Sequence, residues 1–110
     1  MMQVRMSKAG ARCQDIAKAI HEYQVKEGMQ KYLYQRIAHG EGMEGHQPPY
    51  LALGDQTLLE EGMTFSMEPG LFYPDGGYGY NPSDTVLVMK DRGIMMSSKP
   101  LTKEWHFLKL

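Results

Sequence analysis

The sequence predicts an α+β fold in one domain over residues 1–110, a helix followed by antiparallel strands. Three observations carry this. Ile16, Ile20 and Tyr23 stand at i, i+4 and i+7, one stripe of a helix. Residues 63–68 alternate apolar and polar side chains, as a half-buried strand does. Short β-prone runs then follow between Pro/Gly turns, and helix-then-strands order belongs to the α+β class.

Residues 1–12 read as a polar, frayed lead-in. The helix spans Cys13 to Lys26, with Asp15 in its first turn, where a negative charge suits the dipole, and Gly28 as its stop. His21 and Glu22 lie off the apolar stripe and read as solvated. Residues 29–37, with Tyr32, Leu33, Tyr34 and Ile37, fit a short strand. His39 to His46 is too rich in glycine for a helix, and Gln47-Pro48-Pro49-Tyr50 continues it as extended loop. After a turn at 58–62, Met63, Phe65 and Met67 face one way, and Thr64, Ser66 and Glu68 the other. Pro69-Gly70 breaks that strand and Leu71-Phe72-Tyr73 resumes it. Pro74-Asp75-Gly76-Gly77 is a hairpin-type turn. Residues 83–89 form a strand, and Asp91-Arg92-Gly93 turns into Ile94-Met95-Met96. The tail from Glu104 to Leu110, with Trp105, Phe107, Leu108 and Leu110, reads as a last strand packed on the sheet.

Composition narrows the function classes. Hydrophobic residues make up 42% and charged residues 23% of the 110, ordinary globular usage, which excludes wholesale disorder. Twelve Lys and Arg stand against 13 Asp and Glu, so no basic excess exists to hold nucleic acid. No apolar run is long enough to span a membrane, and the first residues carry no secretory signal. Cys13, the one cysteine, cannot form an internal disulfide, and a reduced, cytoplasmic setting follows. Ten Met read as packing residues.

The chemistry is sought where glycine and proline cluster, between residues 40 and 82. His39 and His46 lie in the Gly-rich loop. Imidazole is the commonest metal ligand and titrates near neutral pH, and glycines let a ligand approach closely. Glu68 stands on the polar face of its strand, directly before Pro69-Gly70. Together the three suggest a hydrolytic metal centre; singly, each loop histidine also reads as a surface or hydrogen-bonded residue. Tyr73, Tyr78 and Tyr80 read as cross-strand packing, with the wall of a substrate pocket as their other use.

At these residues the chain resembles a known family. The run His39-Gly-Glu-Gly-Met-Glu-Gly-His46, then Gln-Pro-Pro-Tyr, then Leu59-Glu-Glu-Gly-Met-Thr-Phe-Ser-Met-Glu68-Pro-Gly, then Asp84-Thr-Val-Leu-Val, is similar to the pita-bread metallopeptidases. These include methionine aminopeptidase, prolidase, Xaa-Pro aminopeptidase and creatinase, and the Xaa-Pro branch is the nearest. The likeness runs in order from about Ala9 to the C-terminus. It implies half of a pita-bread fold, a helix packed on a curved antiparallel sheet. It also implies a centre of two divalent ions (Mn, Co or Zn) held by two Asp, one His and two Glu. By the resemblance His39 is the histidine ligand and Glu68 the first glutamate ligand, which also handles the proton of the attacking water. His46 contacts substrate and stabilises the transition state, and metal-bound water is the nucleophile.

The chain departs from that pattern in three places. The family's Asp pair lies on strands before the helix that opens this chain, so the chain looks like the C-terminal half of a catalytic domain, with Met1 an internal methionine of a longer frame. The family's final Glu falls at Ser83; Asp84 could replace it only by a one-residue slip, which turns every side chain to the other face. Glu41 and Glu44, inside the His loop, read as solvated. The resemblance then implies a fragment or truncated member of a metal-dependent Xaa-Pro peptidase-like hydrolase, incomplete as a catalyst alone. Its substrate would be a peptide with Pro at the second position. The alternatives are a non-catalytic relative that binds peptide or protein, and a small stable domain without present activity. A half-domain exposes the face that its other half covers, so a homodimer through that face is expected.

Overall fold

The computed structural model describes residues 2–98 and residue 109. The expected last strand with Trp105 lies outside the described residues. Two helices, α1 (Met2–Met6) and α2 (Cys13–Lys26), precede strands β1 (Ala38–Gly40), β2 (Gln47–Leu51), β3 (Thr64–Met67), β4 (Leu71–Tyr73), β5 (Tyr78–Tyr80), β6 (Asp84–Val88) and β7 (Gly93–Met95). Five strands form one sheet in the order β2-β1-β3-β6-β7, every neighbouring pair antiparallel. β4 and β5 form a separate hairpin. Among the described residues no helix is long and apolar enough to cross a membrane.

α2 has the predicted bounds. Its buried residues are Cys13, Ile16, Ala17 and Ile20, one face of the helix. They meet Ile37, Ala38, Leu51, Leu59, Phe65 and Val88 in the main core. Tyr23 departs from the expected stripe: it is 54% exposed, one turn beyond the last residue that reaches the sheet. Gly28 ends the helix at φ +77°, and its N–H donates to the Val25 carbonyl. Val4, Met67 and Val86 form a second, smaller core with Met95 beside them. Burial, with the Asp55 charge nearby, pushes the Cys13 thiol up to about 11, so it is protonated and inert at neutral pH.

The start of α2 is capped from a distance. Arg12 makes no side-chain cap. Instead the Cys13 N–H donates to the Thr57 carbonyl at 2.9 Å, and the Gln14 N–H to the Asp55 carbonyl at 2.8 Å. Asp55 holds that turn in place. Its carboxylate accepts the Tyr50 N–H at 2.8 Å and the Thr57 N–H at 2.9 Å. Partial burial pushes its carboxyl up, but bonds from Thr57 and Tyr50 outweigh this and hold it below the usual carboxylate range. A depressed carboxyl contributes stability above its unfolded value that is lost as pH falls through its folded value. Asp55→Ala is therefore expected to cost about 1–2 kcal/mol at pH 7, discounted for partial exposure. The gap from wild type should narrow as pH falls below about 4, where the unfolded carboxyl takes its proton, and on through the lower folded value. Urea unfolding of both proteins at pH 7 and pH 3 checks this; a gap that widens in acid contradicts it.

Four expectations are corrected. Residues 2–12 do not fray: α1 forms, with Gln3 and Val4 buried, and the Gln3 side-chain amide donates to the Ile37 carbonyl at 3.3 Å. A single turn is too short to show a helical period. Residues 29–37 hold no strand but a 3-10 turn at Gln30–Tyr32. Their aromatics pack on the β4–β5 hairpin instead, Tyr32 on Tyr73 at 5.6 Å and Tyr34 edge-on to Phe72 at 6.5 Å. Gln47–Leu51 is a strand and not a loop; Pro48 and Pro49 are tolerated because β2 is a sheet edge. His39 lies within β1, not in the glycine loop that follows it.

Candidate functional site

The side-chain period of two along a strand sorts this sheet into two faces. Phe65 and Met67 of β3 point into the cores. Ser66, between them, points the other way, directly across from His39 on β1 and Thr85 on β6. Glu68 follows one residue past the end of β3, its N–H donating to the Ile37 carbonyl at 2.8 Å. The candidate residues therefore gather on the sheet face that the core does not use.

His39 is 5% exposed. Its Nδ1 stands 3.1 Å from the Gly40 carbonyl. A carbonyl only accepts, so Nδ1 carries the proton of that bond, and Nε2 presents a lone pair in the neutral ring and a second N–H in the protonated one. Nε2 is buried with no hydrogen-bond partner and faces the Glu68 carboxylate, 3.5 Å from Oε1. Two acceptors so placed repel unless a proton or a cation lies between them. The His46 ring, on an exposed loop residue, packs against His39 at a tilt of 46°, centroids 4.1 Å apart.

Glu68 Oε1 accepts the Ser66 hydroxyl at 2.8 Å and the Ser83 hydroxyl at 3.4 Å. The two hydroxyls are 3.1 Å from each other. Partial burial raises the Glu68 carboxyl, but the Ser66 bond, the charge and N–H of His39 in its protonated form and the Ser83 bond outweigh it and hold the group below the usual carboxylate range. Glu68 is thus ionised at neutral pH. The Gln35 side-chain amide ties the Glu68 carbonyl to Asn81, at 3.2 Å each, and so fixes the strand end beside the segment that bears Ser83.

The structure brings His39, His46, Glu68 and Ser83 together. Asp84 is not among them: the register pairs it with Met67, and its carboxylate accepts the Ser97 N–H at 3.3 Å. Glu44 is exposed, and Glu41 is held through its backbone to Thr64. Tyr73 and Tyr78 pair across the hairpin, rings 5.2 Å apart, whereas Tyr80 borders a cavity of about 300 Å³ together with Pro82 and Ser83. Ser66 went unassigned in the sequence reading, although its alternation with Phe65 and Met67 puts it on the Glu68 side.

The His39 lone pair and the Glu68 carboxylate are donors of the kind a divalent ion takes. Among the described residues no third His, Cys, Asp or Glu joins them to make a metal-holding group. The donor set present does not fit a two-ion centre, and falls short of the three protein ligands usual for a catalytic zinc.

The family model for Metallopeptidase family M24 matches residues 2–90. The chain belongs to that family. An Xaa-Pro dipeptidase of Lactobacillus helveticus is 33% identical over 88 residues, covering 80% of this chain and 24% of the relative. A prolidase from Pyrococcus furiosus superposes with a TM-score of 0.84 at 27% identity, over 91% of this chain and 29% of that one. Dipeptidase PepE from Mycobacterium ulcerans gives 0.83 at 28%, over 90% and 26%. The fold is accordingly α+β, a half of the pita-bread fold of the prolidases, and this M24 chain spans about a quarter of the length of the curated relatives it matches.

Proposed function

We propose that this chain is the His/Glu-bearing portion of an Xaa-Pro peptidase-like hydrolase, incomplete as a catalyst by itself. The observation that carries the reading is the buried, unpartnered Nε2 of His39 facing Glu68 at 3.5 Å beneath the His46 ring. An orphaned buried nitrogen costs stability and persists where function needs it. In this reading His39 and Glu68 are metal ligands, and Glu68, held ionised by two hydroxyls, also takes the proton of the attacking water. His46, packed against His39 and open to solvent, meets the substrate. That substrate is a peptide with Pro at its second position, the class for which the Lactobacillus relative is named. The divalent ions expected for the family (Mn, Co or Zn) would need ligands from outside this chain.

The chain alone is expected to leave Xaa-Pro dipeptides uncleaved with Mn, Co or Zn present. It is expected to bind them weakly, with the His46 ring signals shifting in NMR titration and binding falling about tenfold or more in His46→Ala. Turnover by the isolated chain, or binding indifferent to His46, overturns the reading.

Ser83 favours a second reading, a non-catalytic pita-bread relative that binds peptide or protein. Peptide binding of undiminished strength after chelation, combined with inactivity of the longest natural form, selects it. Met2, Tyr23 and Tyr80 are exposed apolar residues around the cavity beside Ser83, and they support a homodimer that covers this face. Light scattering at high micromolar concentration tests it, and a monomer there excludes it. A cytoplasmic location belongs to the same reading, supported by the single buried Cys13.

A further inference from the structure

The ligand chemistry of this site is closed from within. Three groups converge on one oxygen: the Ser66 hydroxyl at 2.8 Å, the Ser83 hydroxyl at 3.4 Å and His39 Nε2 at 3.5 Å from Glu68 Oε1. The hydroxyls also touch each other at 3.1 Å. Two neutral donors therefore do for the carboxylate part of what a cation would do, and they bring no negative charge of their own. An incoming divalent ion would meet one imidazole nitrogen, one carboxylate already bonded, and hydroxyl oxygens that are poor ligands for it.

We infer that Ser83 is the residue that sets the cation affinity of this site, and that the Ser66–Ser83–Glu68 hydroxyl network replaces a metal-binding carboxylate. The inference rests on the proposed ligand roles of His39 and Glu68 and reaches past them to position 83. Ser83 is exposed and borders the cavity of about 300 Å³, so a longer side chain has room. A carboxylate carried there would break the hydroxyl contact, add a negative charge and supply the third protein ligand. The site would then take one divalent ion, held by residues 39, 68 and 83.

Zn²⁺ binding to the 110-residue chain, stripped with chelator and followed by calorimetric titration, tests this without reference to activity. Wild type and Ser83→Gln should bind with the same weak affinity. Ser83→Glu should bind one equivalent at least about tenfold tighter, since even outer-shell changes at metal sites alter affinity 10–100-fold. The double variant Ser83→Glu, His39→Ala should fall back to the wild-type value. Far-UV circular dichroism without metal establishes that each variant folds, and Ser83→Asp stands in should Ser83→Glu not do so. A wild type as tight as Ser83→Glu overturns the inference. So does a gain shared by Ser83→Gln, or one that survives the loss of His39. The peptide titration at His46 is read separately, so each proposal can fail while the other stands.

Discussion

Replacing Phe65 with alanine is expected to cost about 3–5 kcal/mol, the range for emptying an aromatic core position. Phe65 is 2% exposed and is among the largest fully buried side chains among the described residues. It sits on β3, the central strand, opposite Gly40 on one side and Val86 on the other. Its ring belongs to the core in which Ile16 of α2 meets Leu51, Leu59 and Val88. No partner can move in to fill the void without pulling the helix off the sheet. Against a usual total of about 5–15 kcal/mol, the loss is a large share of the fold. Urea unfolding should show a lower midpoint at nearly the same slope. A loss under about 1 kcal/mol would mean that the helix collapses onto the sheet, and that Phe65 does not bridge the layers as described.

The parts of the fold that were legible in the sequence are those where one local period meets one buried face. α2 shows its period because Ile16 and Ile20 must reach the sheet while Lys18 and Glu22 stay in water. β3 shows its period because Phe65 and Met67 fill cores and Ser66 turns away. The β4–β5 hairpin was marked by Pro74 and by Gly77, which takes φ +68°, a conformation that only glycine adopts freely. What was hidden depends on distant partners. α1 is stable because Val4 packs beside Met67 and Val86, more than sixty residues on. β2 carries two prolines, which argue for a loop until its place at the sheet edge is known. The aromatic residues at 29–37 look β-prone because they are built to pack, but their partners are rings of the hairpin and not strands.

The candidate site was legible for a different reason. His39, His46 and Glu68 stand out as chemistry-bearing residues beside glycine and proline, and the ordered blocks around them supply the family. Their arrangement was not legible. Nothing local says that His39 is buried, since the glycines after it suggest an open loop. Its burial comes from β2 and β3 on either side and from the His46 ring above. Register decides Ser83 in the same way. With Asp84 fixed opposite Met67, the residue before it falls beside Glu68, and a one-residue slip would have exchanged the two. The weight of Ser66 also comes from geometry, because its hydroxyl is 2.8 Å from the carboxylate two residues on.

The glycines around His39 separate geometry from composition. Gly40 ends β1 at a register shift in the pairing with β2. A Cβ built there would lie 2.7 Å from the Pro48 carbonyl oxygen and 2.9 Å from that of Gln47. Both are backbone atoms, so no side chain can swing aside, and β1 and β2 must part. Gly40→Ala is therefore expected to cost about 2–3 kcal/mol in urea unfolding. It should also disturb the site, because the Gly40 carbonyl is what orients the His39 ring through Nδ1. A shift of that ring moves Nε2 away from Glu68 and His46 off its contact, and His46-dependent peptide binding should weaken together with stability. Gly45 lies in the same loop, but a Cβ there meets nothing within 4 Å and its φ is not positive. Gly45→Ala should change stability by less than about 0.5 kcal/mol. Equal costs at the two positions would mean that loop flexibility, and not close approach of β2 to β1, is what glycine supplies here. A cost confined to Gly40, with the His39 and His46 ring signals displaced, would mean that the strand contact itself aims the histidine.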